Sequence, residues 1–257
     1  MKRFCVPMLL MAALFIPSLS AQEITVASAA DLQFAFQAVA ARFEKETGKH
    51  VKLIFGSSGN FFTQIQNGAP FDVLLSADVD YARRLELDGH GERGSVCEYA
   101  VGRIVLWTRG DSGVDLSSGL AALASPKVRR IAIANPDHAP YGRAAVAALR
   151  HAQIYERVEG KLVRGENISQ AAQFLQSGNA DVGIIALSLA LAPALRSAGT
   201  FVEIPQASYP AIEQAAVVLA GSKQKAIAQE FVRFLKTPES VRILQTYGFA
   251  PPRTTCD

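Results

Sequence analysis

The sequence predicts an α/β protein of two lobes, with the chain crossing twice between them. Short β-branched runs alternate with amphipathic stretches along most of the chain, and this alternation is typical of a parallel sheet with helices on its faces. Two long apolar segments, 99–107 and 212–219, bracket a self-contained unit of the same kind. We therefore expect one lobe to be discontinuous, with residues 22–98 and 214–257, and the other to span residues 99–213.

The N-terminus has the pattern of a cleaved secretory signal peptide, residues 1–21, which predicts an exported protein. Lys2 and Arg3 precede an uncharged apolar run, and the small residues Ser20 and Ala21 each offer a cleavage site. The apolar run is shorter than the roughly 20 residues of a membrane-spanning helix, which argues against an uncleaved anchor. Both cleavage positions stay open.

Composition limits the functions open to the mature chain. Without Lys2 and Arg3, 24 basic residues face 23 acidic residues, a net charge of about +1. A nucleic-acid-binding protein would need a basic patch, so no nucleic-acid partner is expected. Cys97 and Cys256 remain after cleavage in an oxidising compartment, either joined as a disulfide or present as two separate thiols.

The predicted elements follow this alternation in order. In the first lobe we expect strands at 23–27, 50–55 and 71–75, a helix ending at Gly48, and helices at 58–66 and 78–87. In the second we expect a strand at 99–107 bent at Gly102, strands at 130–134, 161–163 and 181–185, and helices at 141–150 and 168–176. A returning strand at 212–219, a helix at 223–235 and, after a break at Pro238, a short helix to Tyr247 complete the first lobe.

Signals for catalysis are weak. The nucleophile elbow Gly-x-Ser-x-Gly is absent, and the nearest stretch, residues 55–59, has the wrong spacing. None of the four histidines has a recognisable partner motif, and His138 is expected to be a solvated loop residue. No cluster of His, Cys, Asp and Glu has metal-ligand spacing. We therefore expect no enzyme activity, no cofactor and no direct metal ligand.

Four small polar or glycine-containing turns precede predicted helices, at 28–31, 56–60, 139–142 and 165–168. The first N–H groups of a helix have no partner within it and the macrodipole is positive there, so such a turn can hold an anion without Lys or Arg. Each turn alone has a structural explanation, either as an N-cap at Asp31, Ser58 or Asn167 or, for the turn at 139–142, as a proline at a helix start, Pro140. Two turns fall in each lobe, which favours an anion site between the lobes.

Seven stretches, by their order and spacing, resemble the periplasmic molybdate-binding proteins of the ModA family, and the resemblance runs from about residue 23 to residue 251. The stretches are ASAADL at 27–32, FGSSGNF at 55–61, GAPFDVLLSAD at 68–78, YAVGRIVLW at 99–107, IAIANPDHAPYG at 131–142, SGNADVGIIALS at 177–188 and YGFAP at 247–251.

The resemblance implies a type II periplasmic-binding-protein fold, two α/β lobes joined by two crossing strands, that closes on a tetrahedral oxyanion. It implies molybdate, and also tungstate, as the ligand, the membrane permease of an ABC transporter as the partner, and a monomer. By position it implies four ligand-binding residues, Asp31, Ser58, Tyr141 and Ile168. Ser58 would donate through its hydroxyl and amide, and Tyr141 and Ile168 through their backbone amides.

Two positions depart from the family pattern. Asp31 stands where many members have serine, and one branch has asparagine, and it places a carboxylate beside a dianion. We expect its side chain to turn back and cap its own helix, so that only its amide faces the ligand. Ala186 stands where some members donate a tyrosine hydroxyl, so we expect one direct donor fewer.

Three alternative functions stay open. The same donors suit sulfate or another oxyanion, and a sequence does not measure a cavity. An enzyme on the same two-lobe scaffold is disfavoured because the chain shows no nucleophile, base or metal set. A ligand-sensing regulator attached to a DNA-binding domain is disfavoured by the signal peptide and by the absence of a basic region.

We predict that the exported protein lacks residues 1 to about 21, because charged, apolar and small-residue regions occur in the order of a signal peptide. Intact-mass measurement on periplasmic material checks this. A mass that retains Met1 would contradict it.

Overall fold

The computed structural model describes residues 22–252, which form two mixed β-sheets of five strands each with helices packed on their faces. The predicted signal peptide, residues 1–21, lies outside the described residues. Within the described range, none of the helices is long and apolar enough to cross a membrane.

The strands and α-helices are numbered here in chain order. The strands are β1 Glu23–Ala29, β2 His50–Gly56, β3 Val73–Ser76, β4 Cys97–Gly102, β5 Ile104–Arg109, β6 Ile131–Ala134, β7 Leu162–Gly165, β8 Val182–Ala186, β9 Gly199–Glu203 and β10 Ile212–Val218. The helices are α1 Gln33–Thr47, α2 Ser58–Gln66, α3 Val79–Leu87, α4 Pro140–His151, α5 Tyr155–Val158, α6 Ile168–Gln176, α7 Leu187–Ala190, α8 Pro193–Ala198, α9 Lys225–Phe234 and α10 Pro238–Thr246.

The two sheets are built alike. The first has the strand order β2-β1-β3-β10-β4, and the second has the order β7-β6-β8-β5-β9. In the first sheet β1 is parallel to β2 and β3, while β10 is antiparallel to β3 and β4. In the second, β6 is parallel to β7 and β8, while β5 is antiparallel to β8 and β9. Strand β5 enters the second sheet after the chain leaves the first, and β10 enters the first sheet after the chain leaves the second.

The chain crosses between the sheets at Arg103 and again between β9 and β10. The single bent strand predicted over residues 99–107 is wrong, since β4 lies in the first sheet and β5 in the second. The break follows Gly102, where an added Cβ would lie 2.2 Å from the hydroxyl oxygen of Tyr141. Glycine therefore leaves room for a phenol beside the crossing.

The assignment of residues to lobes is a proposal. The sequence predicts a first lobe of 22–98 with 214–257 and a second lobe of 99–213. Because β4 pairs with β10 in the first sheet and β5 pairs with β8 in the second, we propose to move the boundaries to Arg103 and to Ile212, where β10 begins.

Several element bounds follow directly from local sequence signals. The predicted helices at 58–66 and 168–176 coincide with α2 and α6. Helix α1 ends before Gly48, whose φ of 70° lies in the left-handed region that glycine adopts readily. The sequence does not predict α7, α8 or β9, between residues 187 and 203. That stretch is apolar without a clear period, so neither a helical nor a strand pattern stands out.

Cys97 opens β4 and is disulfide-bonded. Cys256, the partner that the sequence offers, lies outside the described residues. Of the two states that the sequence leaves open for Cys97, the structure has the disulfide.

Phe43 packs the N-terminal segment of the first lobe against its C-terminal segment. It is fully buried on α1. Its ring meets those of Phe231 and Phe234 on α9 edge to face, with centroid distances of 5.2 and 5.4 Å. Such aromatic pairs stabilise beyond the area that they bury. Because α9 comes after the second crossing, this cluster closes the discontinuous lobe.

We predict that Phe43→Ala lowers the free energy of unfolding by about 3–5 kcal/mol, because it leaves a cavity where three aromatic rings meet. Urea denaturation measures the loss. Leu87→Ala is the matched control, since Leu87 is 84% exposed and its truncation should change stability by less than about 0.5 kcal/mol. Similar losses in the two variants would contradict the prediction.

Candidate anion site between the lobes

A small cavity lies between the two sheets, and its wall comes from four separate parts of the chain. Asp31, Ser58, Tyr141 and Ile168, the four ligand-binding residues that the sequence predicts, all lie in this wall. The other lining residues are Ala29, Ala30, Gly56, Ser57, Ala77, Ala139, Pro140 and Asn167. The structure therefore brings the four predicted residues together.

Neighbouring parallel strands end at the same level in each sheet, and this places the helices that follow them at the cavity. In the first sheet Ala29, the last residue of β1, pairs with Gly56, the last residue of β2. In the second sheet Ala134 and Gly165 end β6 and β7 and pair in the same way. A 3-10 turn at Ala30–Leu32, which leads into α1, follows β1, and α2, α4 and α6 follow the other three strands. Each sheet thus presents two helical starts side by side.

Backbone amides at these starts have no acceptor within their own helix, because the first N–H groups of a helix lack intrahelical partners. Ser58 and Ile168 are the first residues of α2 and α6, and Tyr141 is the second residue of α4. Asn167 caps α6 as predicted, since its Oδ1 accepts a hydrogen bond of 3.0 Å from the amide of Gln170. The amides at the cavity wall lie at positive helix ends, where an anion binds favourably.

Ser58 presents a hydroxyl as well as an amide. It is not the N-cap of α2, because Ser57 occupies that position. The amide of Ala77 donates to Ser58 Oγ over 3.0 Å, and Ser58 is buried. Because this oxygen already accepts, the hydroxyl proton is available for donation to another group.

Asp31 does not cap its own helix, so the orientation predicted from the sequence is wrong. The 3-10 turn that contains Asp31 has no side-chain cap. Instead Asp31 Oδ2 accepts hydrogen bonds from the Tyr141 hydroxyl at 2.9 Å and from Gln214 Nε2 at 2.8 Å. Asp31 thus accepts from two donors, one of them from helix α4 in the other lobe, and does not make the local contact that would cap its own turn.

Gln214 is a site residue that the sequence analysis does not single out. It lies fully buried on β10, and its Nε2 is also 3.2 Å from the Tyr141 hydroxyl oxygen. A glutamine among the alanines and valines of a buried strand is the signal that could have drawn attention to it, since a buried amide needs partners.

Burial controls the titration of Asp31. Removal from water raises the pKa of this carboxyl from 3.8 to about 6, and the hydrogen bonds from Tyr141 and Gln214 oppose the rise. Burial, and next the charge of Asp31, raise the pKa of Tyr99 and of Tyr141 well above their ordinary value. The phenols therefore stay neutral donors, while the carboxyl titrates near neutral pH.

Ala186, which stands where some family members donate a tyrosine hydroxyl, lies away from the cavity wall. Ala186 ends β8, is buried, and is not among the residues that line the cavity. The nearby hydroxyl of Ser188, on α7, donates to the backbone oxygen of Asp31 over 2.7 Å. This hydroxyl supports the cavity wall.

His138, in the loop before α4, joins the two lobes. Its backbone oxygen accepts hydrogen bonds from the Gly59 amide at 3.0 Å and from Ser57 Oγ at 2.6 Å. Its ring Nδ1 lies 3.0 Å from Ser57 Oγ, and its Nε2 lies 3.8 Å from a carboxylate oxygen of Glu166. The expectation of a solvated loop histidine is wrong, because closure of the lobes packs this loop against α2.

Further contacts cross the cleft. Arg143 on α4 pairs with Asp78, the N-cap of α3, and its guanidinium lies 5.6 Å from the centre of the Tyr81 ring. Ser169 Oγ donates to the backbone oxygen of Ala30 over 3.0 Å. The described residues therefore form a closed arrangement of the lobes around the cavity.

The cavity offers neutral donors and one carboxyl. No lysine or arginine is among the described residues that line it. Elsewhere in residues 22–252, no group of three His, Cys, Asp or Glu side chains could hold a metal ion. An anion in this cavity would be held by amides and a hydroxyl.

Comparison with known proteins places the chain among binding proteins. It matches the model of the family described as bacterial extracellular solute-binding protein over residues 24–250. It is 40% identical over 229 residues to the molybdate-binding protein ModA of Azotobacter vinelandii, covering 89% of this chain and 90% of that protein. The molybdate-binding protein ModA of Escherichia coli (strain K12) is 29% identical over 235 residues, 88% of either chain.

Solved structures agree with this placement. The Azotobacter vinelandii periplasmic molybdate-binding protein has a TM-score of 0.84 and 34% identity, covering 90% of this chain and all 100% of that one. The sulfate-binding protein SubI of Mycobacterium tuberculosis H37Rv has a TM-score of 0.73 at 17% identity, covering 90% and 87%. The second likeness concerns the fold alone. The predicted two-lobe α/β fold is confirmed.

We predict that Gly142→Ala displaces the start of α4 and lowers stability. An added Cβ would lie 2.3 Å from the Ala134 oxygen and 2.8 Å from the Asn135 carbonyl carbon, both backbone atoms. Overpacking of this kind costs about 1–3 kcal/mol, and it should also misplace the Tyr141 amide. Thermal melting compares this variant with Gly160→Ala, whose Cβ would meet nothing within 4 Å. Equal melting temperatures would contradict the prediction.

Proposed function

The chain belongs to the bacterial extracellular solute-binding proteins and, within them, to the molybdate-binding ModA family, and we propose that it captures molybdate in the periplasm for the membrane permease of an ABC importer. The observation that carries the proposal is the convergence of four helical starts on one cavity, whose lining residues, among those that the structure describes, include no lysine or arginine. Molybdate is cargo here and not a cofactor. Tungstate, with the same charge and tetrahedral shape, is proposed as a second ligand.

Recognition by neutral donors follows from the wall of the cavity. We assign the backbone amides of Asp31, Ser58, Tyr141 and Ile168, together with the Ser58 hydroxyl, as donors to the anion. Hydrogen bonds from such groups to an ionised oxygen are shorter and stronger than those between neutral groups. The donors are fixed in advance by the helices, so the anion exchanges its water for groups that need little reordering.

Capture proceeds by closure and without a reaction. Asp31 and Ser58 come from the first sheet's side of the cleft, and Tyr141 and Ile168 from the second, so the full donor set exists only when the lobes meet. A ligand shifts an equilibrium by its difference in affinity for the two states, and the anion therefore favours closure. Rotation about the crossings at Arg103 and between β9 and β10 would open the cleft. The cavity is complete within one chain, which supports a monomer.

An enzyme on the same scaffold is the second candidate, because Ser57, His138 and Glu166 lie in a row. Ser57 Oγ is 3.0 Å from the His138 ring. However, Ser57 directs its proton to the His138 backbone oxygen at 2.6 Å, and the Glu166 carboxylate is half exposed and 3.8 Å from the ring. We infer that this row stabilises the closed lobes and does not activate a nucleophile.

Titration calorimetry with sodium molybdate, tungstate, sulfate and phosphate tests the proposal. We expect one molybdate or tungstate to bind per chain, and sulfate and phosphate to bind more weakly. A preference for sulfate would support the alternative of a sulfate-binding protein, and the absence of binding by all four anions would contradict an oxyanion site.

We predict that Ser58→Ala weakens molybdate binding, because a hydrogen bond to a charged group contributes roughly 1.5 to 3 kcal/mol, about a 10- to 150-fold rise in Kd. Calorimetry measures Kd, and thermal melting checks that the fold is kept. Ser118→Ala is the matched control, since Ser118 is exposed and makes no side-chain cap to its 3-10 helix. An unchanged Kd in Ser58→Ala would remove this hydroxyl from the site.

A further inference from the structure

We propose, building on the proposed function of this cavity, that Asp31 takes up a proton when a dianion such as molybdate is captured, so that binding is coupled to neutralisation of one buried carboxyl. The coupling makes the affinity for the anion dependent on pH and assigns that dependence to a single residue. Asp31 is then a specificity-determining residue as well as part of the wall.

Asp31 has the geometry of a carboxyl that can hold a proton beside the ligand. The residue is 1% exposed and lines the cavity. Its Oδ2 accepts from both Tyr141 and Gln214, so that oxygen is already occupied. Its Oδ1 is buried and has no hydrogen-bond partner within residues 22–252. A proton on Oδ1 would convert an unsatisfied acceptor into a donor at the cavity wall.

Neutral groups surround this carboxyl. The elements packed around it contribute the phenols of Tyr99 on β4 and Tyr141 on α4, the amide of Gln214 on β10, and the hydroxyls of Ser169 on α6 and Ser188 on α7. Tyr209, whose charge would also act on Tyr141, accepts a hydrogen bond from the amide of Ile104. Among the described residues, no lysine, arginine or histidine forms an ion pair with Asp31.

The charged groups nearest along the cleft are already paired with each other. Arg143 contacts Asp78, and His138 lies beside Glu166 at the rim. Neither pair contacts Asp31. Nothing in this part of the structure therefore compensates the negative charge that the carboxylate would place beside a bound dianion.

Capture of the dianion raises the proton affinity of Asp31. Burial raises the pKa of this carboxyl to about 6 in the closed arrangement of the lobes. Like charge nearby raises a carboxyl pKa further, and access of water in the open form lowers it. The pKa is thus higher in the complex than in the free protein. Linkage then requires that the protein take up a proton on binding at pH values between the pKa of Asp31 in the free protein and its pKa in the complex. Binding strengthens as the pH falls through this window, and the gain is lost as the pH rises through the pKa of the complex.

Asparagine at position 31 would imitate the protonated acid. Its oxygen can accept from Tyr141 and Gln214 as Oδ2 does, and its amide nitrogen can donate as a protonated Oδ1 would. The substitution keeps the size of the side chain and removes only its titration. Asp31→Asn is therefore expected to bind without taking up a proton at this position.

Calorimetry of sodium molybdate binding, repeated in buffers of different ionisation enthalpy from about pH 6 to about pH 9, measures the protons taken up per anion. Phosphate buffer is left out because it competes as an oxyanion. For the unmodified protein we expect uptake to rise towards one proton per anion within the window, and Kd to increase with pH there. For Asp31→Asn we expect this uptake to vanish and Kd at the alkaline end to be at least about tenfold lower than in the unmodified protein.

Two control variants assign the proton. Asp80→Asn makes the same chemical change at an exposed carboxylate on α3, and His138→Gln removes the histidine at the cleft; both should retain the uptake. Tyr141→Phe removes a donor that lowers the pKa of Asp31, so it should move the uptake curve to higher pH. This variant also serves as the test if Asp31→Asn does not fold.

Two different failures are distinguishable. Molybdate binding without proton uptake across the range, or uptake that persists in a folded Asp31→Asn protein, would overturn the role of Asp31 and leave the proposed function standing. The absence of molybdate binding at every pH would overturn the proposed function together with this inference.

Discussion

Unpaired backbone amides at four helical starts govern the architecture of this protein. A buried N–H without an acceptor costs about 1–3 kcal/mol, and here amides from both sheets line one cavity. The pairing of Ala29 with Gly56 and of Ala134 with Gly165 sets two starts level in each sheet. The two crossings then let the pairs face each other. Under the proposed function, an acceptor with several oxygens between the two halves would satisfy these amides.

Asp31 lies in the wall of the cavity and also forms hydrogen bonds between the two lobes. Its side chain accepts from Tyr141, and its backbone oxygen accepts from Ser188, so two groups of the second lobe hold one residue of the first. The same residue carries a buried carboxyl whose Oδ1 has no hydrogen-bond partner in the part of the chain that the structure describes. The residue that would repel a bound dianion when it is ionised is therefore also a residue that holds the lobes together. In our proposal its protonation state affects the affinity of the cleft for the anion for this reason.

Local sequence signals predicted most of the strands and helices. The features that the sequence did not predict arise from contacts between segments far apart in the chain. Asn167 caps the start of α6 and Gly48 marks the end of α1, and the family resemblance implied, by position, the four residues that lie together in the cavity wall. The split of residues 99–107 into two strands escaped prediction because it arises from pairing with β10 and β8, far along the chain. Asp31 and His138 escaped for the same reason, since their partners come from the opposite lobe.

Gly59 makes the closed form sensitive to the size of one side chain. Its amide bonds to the His138 oxygen, and an added Cβ would lie 2.6 Å from that same oxygen. Any larger residue there would act as a wedge that holds the lobes ajar without touching the anion. Apparent affinity scales with the fraction of molecules able to close. Residence time of the cargo can thus be tuned at Gly59 independently of the chemistry that recognises it, and a transporter could evolve faster release without altering its selectivity.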